Sequence, residues 1–80
     1  MTVDLVKFVA EEVKLQNMAF PTVSVLAGHS HNMVTNWANR TRNPTVQAMQ
    51  DVLNILGYQL VIADKHTLEI VYPEEGVPEK

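Results

Sequence analysis

Apolar residues recur at helical spacing near the start of the chain. The recurring positions fall three or four residues apart, with two neighbours widening the stripe: Leu5, Val6, Phe8, Val9, Ala10 and Val13. Such spacing places apolar side chains on one face of a helix. Thr2 or Asp4 can cap its N-terminus, and Asn17 suits a left-handed residue after its end near Gln16. The pattern therefore predicts an amphipathic first helix.

Two short helices are predicted next, on either side of a turn at Gly28. Proline is tolerated in a first helical turn, so the second helix is expected over residues 21–27, with Val23, Leu26 and Ala27 facing inward. Ser30 is a good N-cap for the third helix. That helix separates apolar Met33, Val34 and Trp37 from polar residues on its other side.

A fourth helix is predicted from Thr45, its N-cap, to Leu56, with Gly57 as its stop. Its apolar stripe consists of Val46, Met49, Val52, Leu53 and Leu56. The apolar pattern then changes to short runs rich in Val, Ile, Leu and Tyr over residues 58–63 and 67–72. These runs predict a C-terminal β-hairpin over residues 58–72, with Asp64, Lys65 and His66 between the strands.

Length and composition predict a single domain over residues 1–72. The chain has 80 residues, 46% of them hydrophobic and none of them cysteine, so it can bury one modest core without disulfides. Residues 73–80 hold two prolines, a glycine and three acids, and are expected to form a disordered acidic tail. No signal peptide or membrane span is apparent, so a cytoplasmic protein is expected.

Charge is segregated along the chain. Residues 15–50 contain no acid and two arginines, so that they sum to +2, whereas the flanking residues sum to −5. Acidic residues would be excluded from a surface that faces phosphate, although a short chain can also reach this distribution by chance.

The predicted third helix carries the strongest candidate chemistry. Its outward positions hold amides, a hydroxyl and an imidazole, and two arginines follow: His31, Asn32, Thr35, Asn36, Asn39, Arg40 and Arg42. Amides suit hydrogen bonding to base edges, and arginines suit phosphates. An ordinary solvated helix face is the alternative, but Asn is a mediocre helix former, so propensity does not explain three of them.

A helix, a tight turn and a second helix form the motif that places its second helix in the DNA major groove. Here the chain resembles the lambda repressor/Cro-like helix-turn-helix family, of xenobiotic-response-element type, over residues 3–62. The resemblance depends on Val23-Ser24, Gly28, the run Ser30 to Trp37, Arg42-Asn43-Pro44-Thr45, and Leu56-Gly57-Tyr58. It departs from the family at Phe20-Pro21, where Gln is frequent, and at His29 and Ala38.

The resemblance implies a mainly α fold: a four-helix lambda-repressor-like helix-turn-helix domain followed by the hairpin. It also implies roles for individual residues. The DNA base-reading positions are His31, Asn32, Thr35 and Asn36, of which Thr35 can instead reach a phosphate. The phosphate-binding positions are Ser30, Asn39, Arg40, Thr41 and Arg42. We therefore expect a sequence-specific transcriptional regulator of phage or bacterial origin, most simply a repressor.

Other chemistries have weaker support in the sequence. His29, His31 and His66 could suggest a metal site, but two of them point apart at a helix start and no carboxylate is near in sequence. No convincing nucleophile and base set, and no glycine-rich phosphate loop, is present. Neither an enzymatic activity nor a cofactor is expected. Trp37 is expected to anchor the core rather than to stack on a base.

The hairpin predicts a partner. A two-stranded hairpin is marginal by itself, and its open edges can pair with another copy of the chain. We expect a homodimer that presents its two reading helices to a pseudo-palindromic double-stranded DNA site. Packing of the hairpin on its own helices is one alternative. Another is an antitoxin role, with the hairpin or the acidic tail docking on a toxin protein.

Overall fold

Four helices are followed by a two-stranded antiparallel hairpin, which confirms the predicted mainly α architecture. The structure is a computed structural model that describes residues 3–73. The expected disorder of the acidic tail falls almost wholly outside these residues. In chain order the elements are α1 (Leu5–Leu15), α2 (Phe20–Leu26), α3 (Met33–Ala38), α4 (Val46–Leu56), β1 (Ile62–Ala63) and β2 (Ile70–Tyr72).

The two longer helices begin at the predicted caps. A carboxylate oxygen of Asp4 accepts the backbone N–H of Lys7 at 3.1 Å, and the Thr45 hydroxyl accepts that of Ala48 at 3.0 Å. Each bond satisfies one of the N–H groups that have no partner within the first turn of a helix. Local sequence therefore fixes the beginning of both α1 and α4.

All four helices end in the same backbone motif, with one residue in the left-handed conformation. These residues are Asn17 (φ 58°), Gly28 (φ 85°), Arg40 (φ 62°) and Gly57 (φ 95°). In each case the next residue's N–H donates to a carbonyl five residues earlier, as from Met18 to Val13 and from Thr41 to Asn36. This is the Schellman arrangement, which usually places glycine at the left-handed position. Asn17 was predicted to take this conformation; Arg40 was not.

One core joins the faces of all four helices. Its buried apolar residues are Val6, Val9, Val13, Val23, Val34, Trp37, Ala48, Met49, Val52, Leu53 and Leu56. Two predicted inward positions are wrong, because Leu26 is 56% exposed and Val46 is 79% exposed; Leu5 and Phe8, which widen the stripe of α1, are each 37% exposed. Leu26 lies at the end of α2 beside an open surface cavity, and Val46 lines another near Val3 and Leu60. Helical spacing assigns Leu26 and Val46 to the apolar faces of their helices, but no other helix or strand of the described chain packs over either residue.

The segment after α4 packs back on the helices instead of continuing as a strand. The Tyr58 ring meets Phe8 edge to face with 5.1 Å between centroids, and its hydroxyl donates to Glu12 Oε1 at 3.0 Å. The Leu60 N–H donates to Gln50 Oε1 at 2.9 Å. The Leu60 bond uses a backbone N–H that a strand would pair, and the predicted hairpin of residues 58–72 is shorter, with strands only at 62–63 and 70–72.

Asp64 organises the hairpin turn. Its Oδ1 accepts the N–H groups of Thr67 and His66 at 3.0 and 2.8 Å, and these two bonds lower the pKa of its carboxyl below the ordinary value. Leu68 has a φ of 65° and leaves the strand pattern that was predicted for it. The turn therefore closes without an Asn-Gly or Asp-Gly pair.

The strands pack on each other and on none of the four helices. Ile62 pairs with Tyr72 and Ala63 with Ile70, with an irregularity between the two pairs. Every strand residue is exposed, including Ile62 (60%) and Tyr72 (64%). The two strands therefore lie apart from the helices, whereas residues 58–60 of the predicted hairpin pack on α1 and α4.

No helix within residues 3–73 has both the length and the apolar character needed to cross a membrane.

Candidate nucleic-acid interface

A buried serine joins the two short helices. Ser24, in α2, is fully buried; its hydroxyl donates to the Phe20 carbonyl at 2.9 Å and accepts the Val34 N–H at 3.0 Å. Val34 is the second residue of α3, so this N–H is one that the helix cannot satisfy itself. Asn32 precedes α3 but makes no capping bond through its side chain. Ser24 therefore caps α3 from the neighbouring helix and holds the two helices together.

The predicted start of α3 at Ser30 is wrong. The Ser30 hydroxyl accepts the Asn32 N–H at 3.3 Å within a turn, and the α-helix begins only at Met33. His31 and Asn32 thus belong to the turn before the helix. The serine supports the turn locally, whereas the helix takes its own cap from Ser24.

The same turn is tied to α4 through His29. Nε2 of His29 lies 2.8 Å from Oδ2 of Asp51, and Gln47 Nε2 donates to the other carboxylate oxygen at 2.9 Å. The His29 bond, followed by the Gln47 bond, lowers the pKa of the Asp51 carboxyl. The turn is therefore anchored to α4 through Asp51, and the α3 helix that follows it is anchored to α2 through Ser24.

The predicted base-reading residues lie on the side of α3 away from the core and in the turn before it. Val34 and Trp37 are buried, which confirms Trp37 as a core anchor. Asn32 is exposed, and Thr35 and Asn36 are half-buried. Within this set, Asn32 and Asn36 share one open groove of about 460 Å³. His31 is exposed and lines a separate cavity beside Leu26, so the four residues do not form one continuous set.

The predicted phosphate-binding residues divide in the same way. Ser30 and Arg42 line the groove that holds Asn32 and Asn36. Asn39 ends α3, and the Thr41 hydroxyl donates to the Asn36 carbonyl at 3.1 Å. Among residues 3–73, Arg42 forms no ion pair. Among the predicted site residues, the groove therefore holds two amides, a hydroxyl and one guanidinium. His29, Asn43 and Thr45 add polar groups to its lining, and Met33, Trp37 and Ala48 are apolar.

Arg40 lies outside this groove and is paired with α1. Its Nη2 donates to Oδ2 of Asp4 at 2.9 Å, and the two side chains are 59% and 37% exposed. The Lys7 N–H and then the Arg40 guanidinium lower the pKa of the Asp4 carboxyl. The residue that caps α1 is thus also the counter-charge of Arg40.

Sequence reasoning missed three parts of this arrangement: the cap that Ser24 provides, the His29–Asp51 pair and the Asp4–Arg40 pair. Ser24 carried a usable signal, because a serine on the inward side of a short helix needs a buried partner for its hydroxyl. The other two pairs join residues 22 and 36 positions apart, and no local pattern relates them.

Within the described residues, the histidines do not come together as a metal site. Residues 3–73 contain no group of three or more His, Asp or Glu side chains that could hold a metal ion. His29 and His31 line different cavities. The groove beside α3 brings together four of the predicted site residues: Ser30, Asn32, Asn36 and Arg42.

Comparison of the chain with models of protein families, with curated proteins and with solved structures found no match.

Proposed function

We propose that this protein is a cytoplasmic, sequence-specific double-stranded DNA-binding regulator of transcription, of bacterial or phage origin. The observation that carries the proposal is the polar groove along α3, whose helix is held to α2 by the Ser24 bond to Val34. A short helix braced by its predecessor is the element that enters the major groove in helix-turn-helix proteins. The resemblance to the lambda repressor/Cro-like family supports the same proposal.

Different residues of the groove are proposed to contact the bases and the phosphate backbone of DNA. Asn32 and Asn36 provide amides that can pair bidentately with N6 and N7 of adenine, a contact worth about 1–3 kcal/mol of discrimination. Ser30 and Arg42, in the same groove, are suited to the adjacent phosphates. Thr35, half-buried on α3, and His31, exposed in the turn, are proposed to contact bases outside this groove. Asn39 and Thr41 would contact the backbone beyond the helix.

Charge supports this orientation. The acid-free residues 15–50 include α2, the turn and α3, and their two arginines directly follow α3. A cationic surface favours association with the phosphate backbone in a salt-dependent way. The acids are concentrated in the flanking parts of the chain, and two of them, Asp4 and Asp51, contact Arg40 and His29 next to the proposed interface.

The exposed hairpin supports a homodimer. Apolar strand residues that pack on no helix of their own chain can be buried by a second copy, and strand edges can pair in the same contact. A two-fold dimer would separate its reading helices by about 34 Å, one turn of DNA. We therefore propose a pseudo-palindromic operator, and repression by occupying it.

Selection of bound duplexes from a random pool at fixed salt tests the proposal. The expected result is enrichment of one motif made of two related half-sites. Recovery of the starting pool without any enriched motif would refute sequence-specific binding.

A further inference from the structure

The guanidinium of Arg40 has a partner in the protein without DNA. Asp4 accepts the Arg40 Nη2 through one carboxylate oxygen and the Lys7 N–H through the other, at 2.9 and 3.1 Å. Because the second bond is also the cap of α1, the carboxylate is fixed in place by the helix. The pair is also open to solvent, with the Arg40 side chain 59% exposed, so that a large anion can reach it.

This pairing halves the uncompensated charge next to α3. The two cations of residues 15–50 are Arg40 and Arg42. Asp4 neutralises the first, whereas the second forms no ion pair within residues 3–73. An arginine that already faces a carboxylate adds little to the attraction for phosphate until that carboxylate is removed or displaced.

We propose that Asp4 weakens DNA binding by neutralising Arg40, so that Arg40 exchanges this carboxylate for a phosphate when DNA binds. The inference rests on the proposed function, and it adds an intramolecular competitor that sets the affinity. The competitor acts on the backbone contact, so it changes the affinity for every duplex by the same factor and leaves sequence preference unchanged. Asp4 lies in α1's cap, far in sequence from the polar residues of α3.

Asp4→Asn is the test variant, because asparagine caps a helix about as well as aspartate and removes only the charge. The matched control is Asp64→Asn. Asp64 also accepts two backbone N–H groups, but it lies in the hairpin turn and pairs with no arginine in the described chain. Both variants change the net charge by the same amount. Thermal unfolding would first establish that each remains folded.

The measurement is the dissociation constant on a selected duplex and on an unrelated duplex, over 50 to 200 mM salt. Because Arg40 contacts a phosphate in both proteins once DNA is bound, Asp4→Asn is expected to bind both duplexes more tightly by the same factor, up to about tenfold at 50 mM salt, with a salt slope close to that of the wild type. Asp64→Asn is expected to keep the wild-type affinity, and Arg40→Gln is expected to abolish the effect of Asp4→Asn.

Two results would overturn the inference while leaving the proposed function intact. Equal effects of Asp4→Asn and Asp64→Asn would indicate a general charge effect, and weaker binding by Asp4→Asn would mean that Asp4 positions Arg40 for its phosphate. A wild-type protein that binds both duplexes equally would instead contradict the proposed function, and the inference with it.

Discussion

The Ser24 hydroxyl accepts the backbone N–H of Val34 at 3.0 Å, and this bond joins α2 to the first turn of α3. Both residues are buried, and no water is needed to complete the geometry, because the same hydroxyl donates to the Phe20 carbonyl. The Ser24 hydroxyl thus links α2 and α3 in addition to the apolar core that they share. A larger or apolar residue cannot provide this bond in the same space.

Ser24→Ala is expected to destabilise the fold by about 1–3 kcal/mol, because the buried Val34 N–H would lose its partner. Chemical denaturation would measure the loss. Ser30→Ala is the matched control, since its exposed hydroxyl accepts only a 3.3 Å bond in the turn, and it should change the free energy of unfolding much less. Equal effects of the two substitutions would contradict the bridging role of Ser24.

Arg40 occupies a left-handed position, so its backbone favours glycine. We expect Arg40→Gly to be more stable than Arg40→Ala by about 1 kcal/mol, because both variants lose the ion pair with Asp4 and only alanine keeps a Cβ. Asn39 is the control position, because its φ is −82°. There the alanine variant should be more stable than the glycine variant. Thermal unfolding of the four variants would compare the two positions. A more stable alanine at both would argue against the left-handed backbone of Arg40.

Acidic pH should lower the free energy of unfolding, because aspartates that are ionised in the folded state become protonated. The pKa of the Asp51 carboxyl is lowered by His29 and then Gln47, so the folded state favours the ionised form more than the unfolded chain does. Its contribution is therefore present above the unfolded pKa of about 3.9 and is lost as the pH falls through the lower folded value. Asp4 and Asp64 shift in the same direction.

Unfolding measured from pH 6 to pH 2 would test this linkage. Asp51→Asn should flatten part of the decline in stability below about pH 4, and Gln47→Ala should flatten it less, because the His29 bond remains. An unchanged acid slope in Asp51→Asn would mean that the pair with His29 contributes nothing to the folded state.

A charge in the hairpin should separate the proposed dimer without unfolding the helices. Ile62 and Tyr72 are cross-strand partners, and their strands contact no helix of the same chain. Ile62→Asp or Tyr72→Asp should therefore convert a dimer to a folded monomer in sedimentation velocity, with the helical circular dichroism retained. Val25→Asp, at a similarly exposed apolar residue of α2, should remain dimeric. A wild-type protein that is monomeric at micromolar concentration would contradict the hairpin dimer and would favour a different protein partner for this surface.

Local sequence predicted where α1 and α4 begin, but not where α3 begins. The caps of α1 and α4 are side chains three residues from the N–H groups that they accept, so the chain itself specifies both helix starts. The cap of α3 comes from Ser24, ten residues away on another helix, and its predicted start was accordingly wrong. Which predicted residues share the groove also depended on tertiary packing.

The sequence pattern also did not predict which apolar residues are exposed. The spacing of apolar residues identifies which face of a helix is apolar, but not how much of that face other elements bury. Val46 was therefore assigned to the apolar stripe of α4, although it is exposed. Tyr58 has the composition of a strand residue, yet its contacts with Phe8 and Glu12 hold it against α1. The position of Tyr58 depends on residues that lie more than forty positions away in sequence.

Base reading by α3 is tested most directly by repeating the random-duplex selection with Asn36→Ala and Arg42→Ala. Both residues line the same groove, but only the first is proposed to contact a base edge. Asn36→Ala should lose preference at one position in each half-site, by about 1–3 kcal/mol, while the rest of the motif is retained. Arg42→Ala should return the full motif with uniformly weaker binding and a shallower salt dependence. Loss of the same fraction of affinity on every sequence by both variants would contradict base reading by α3.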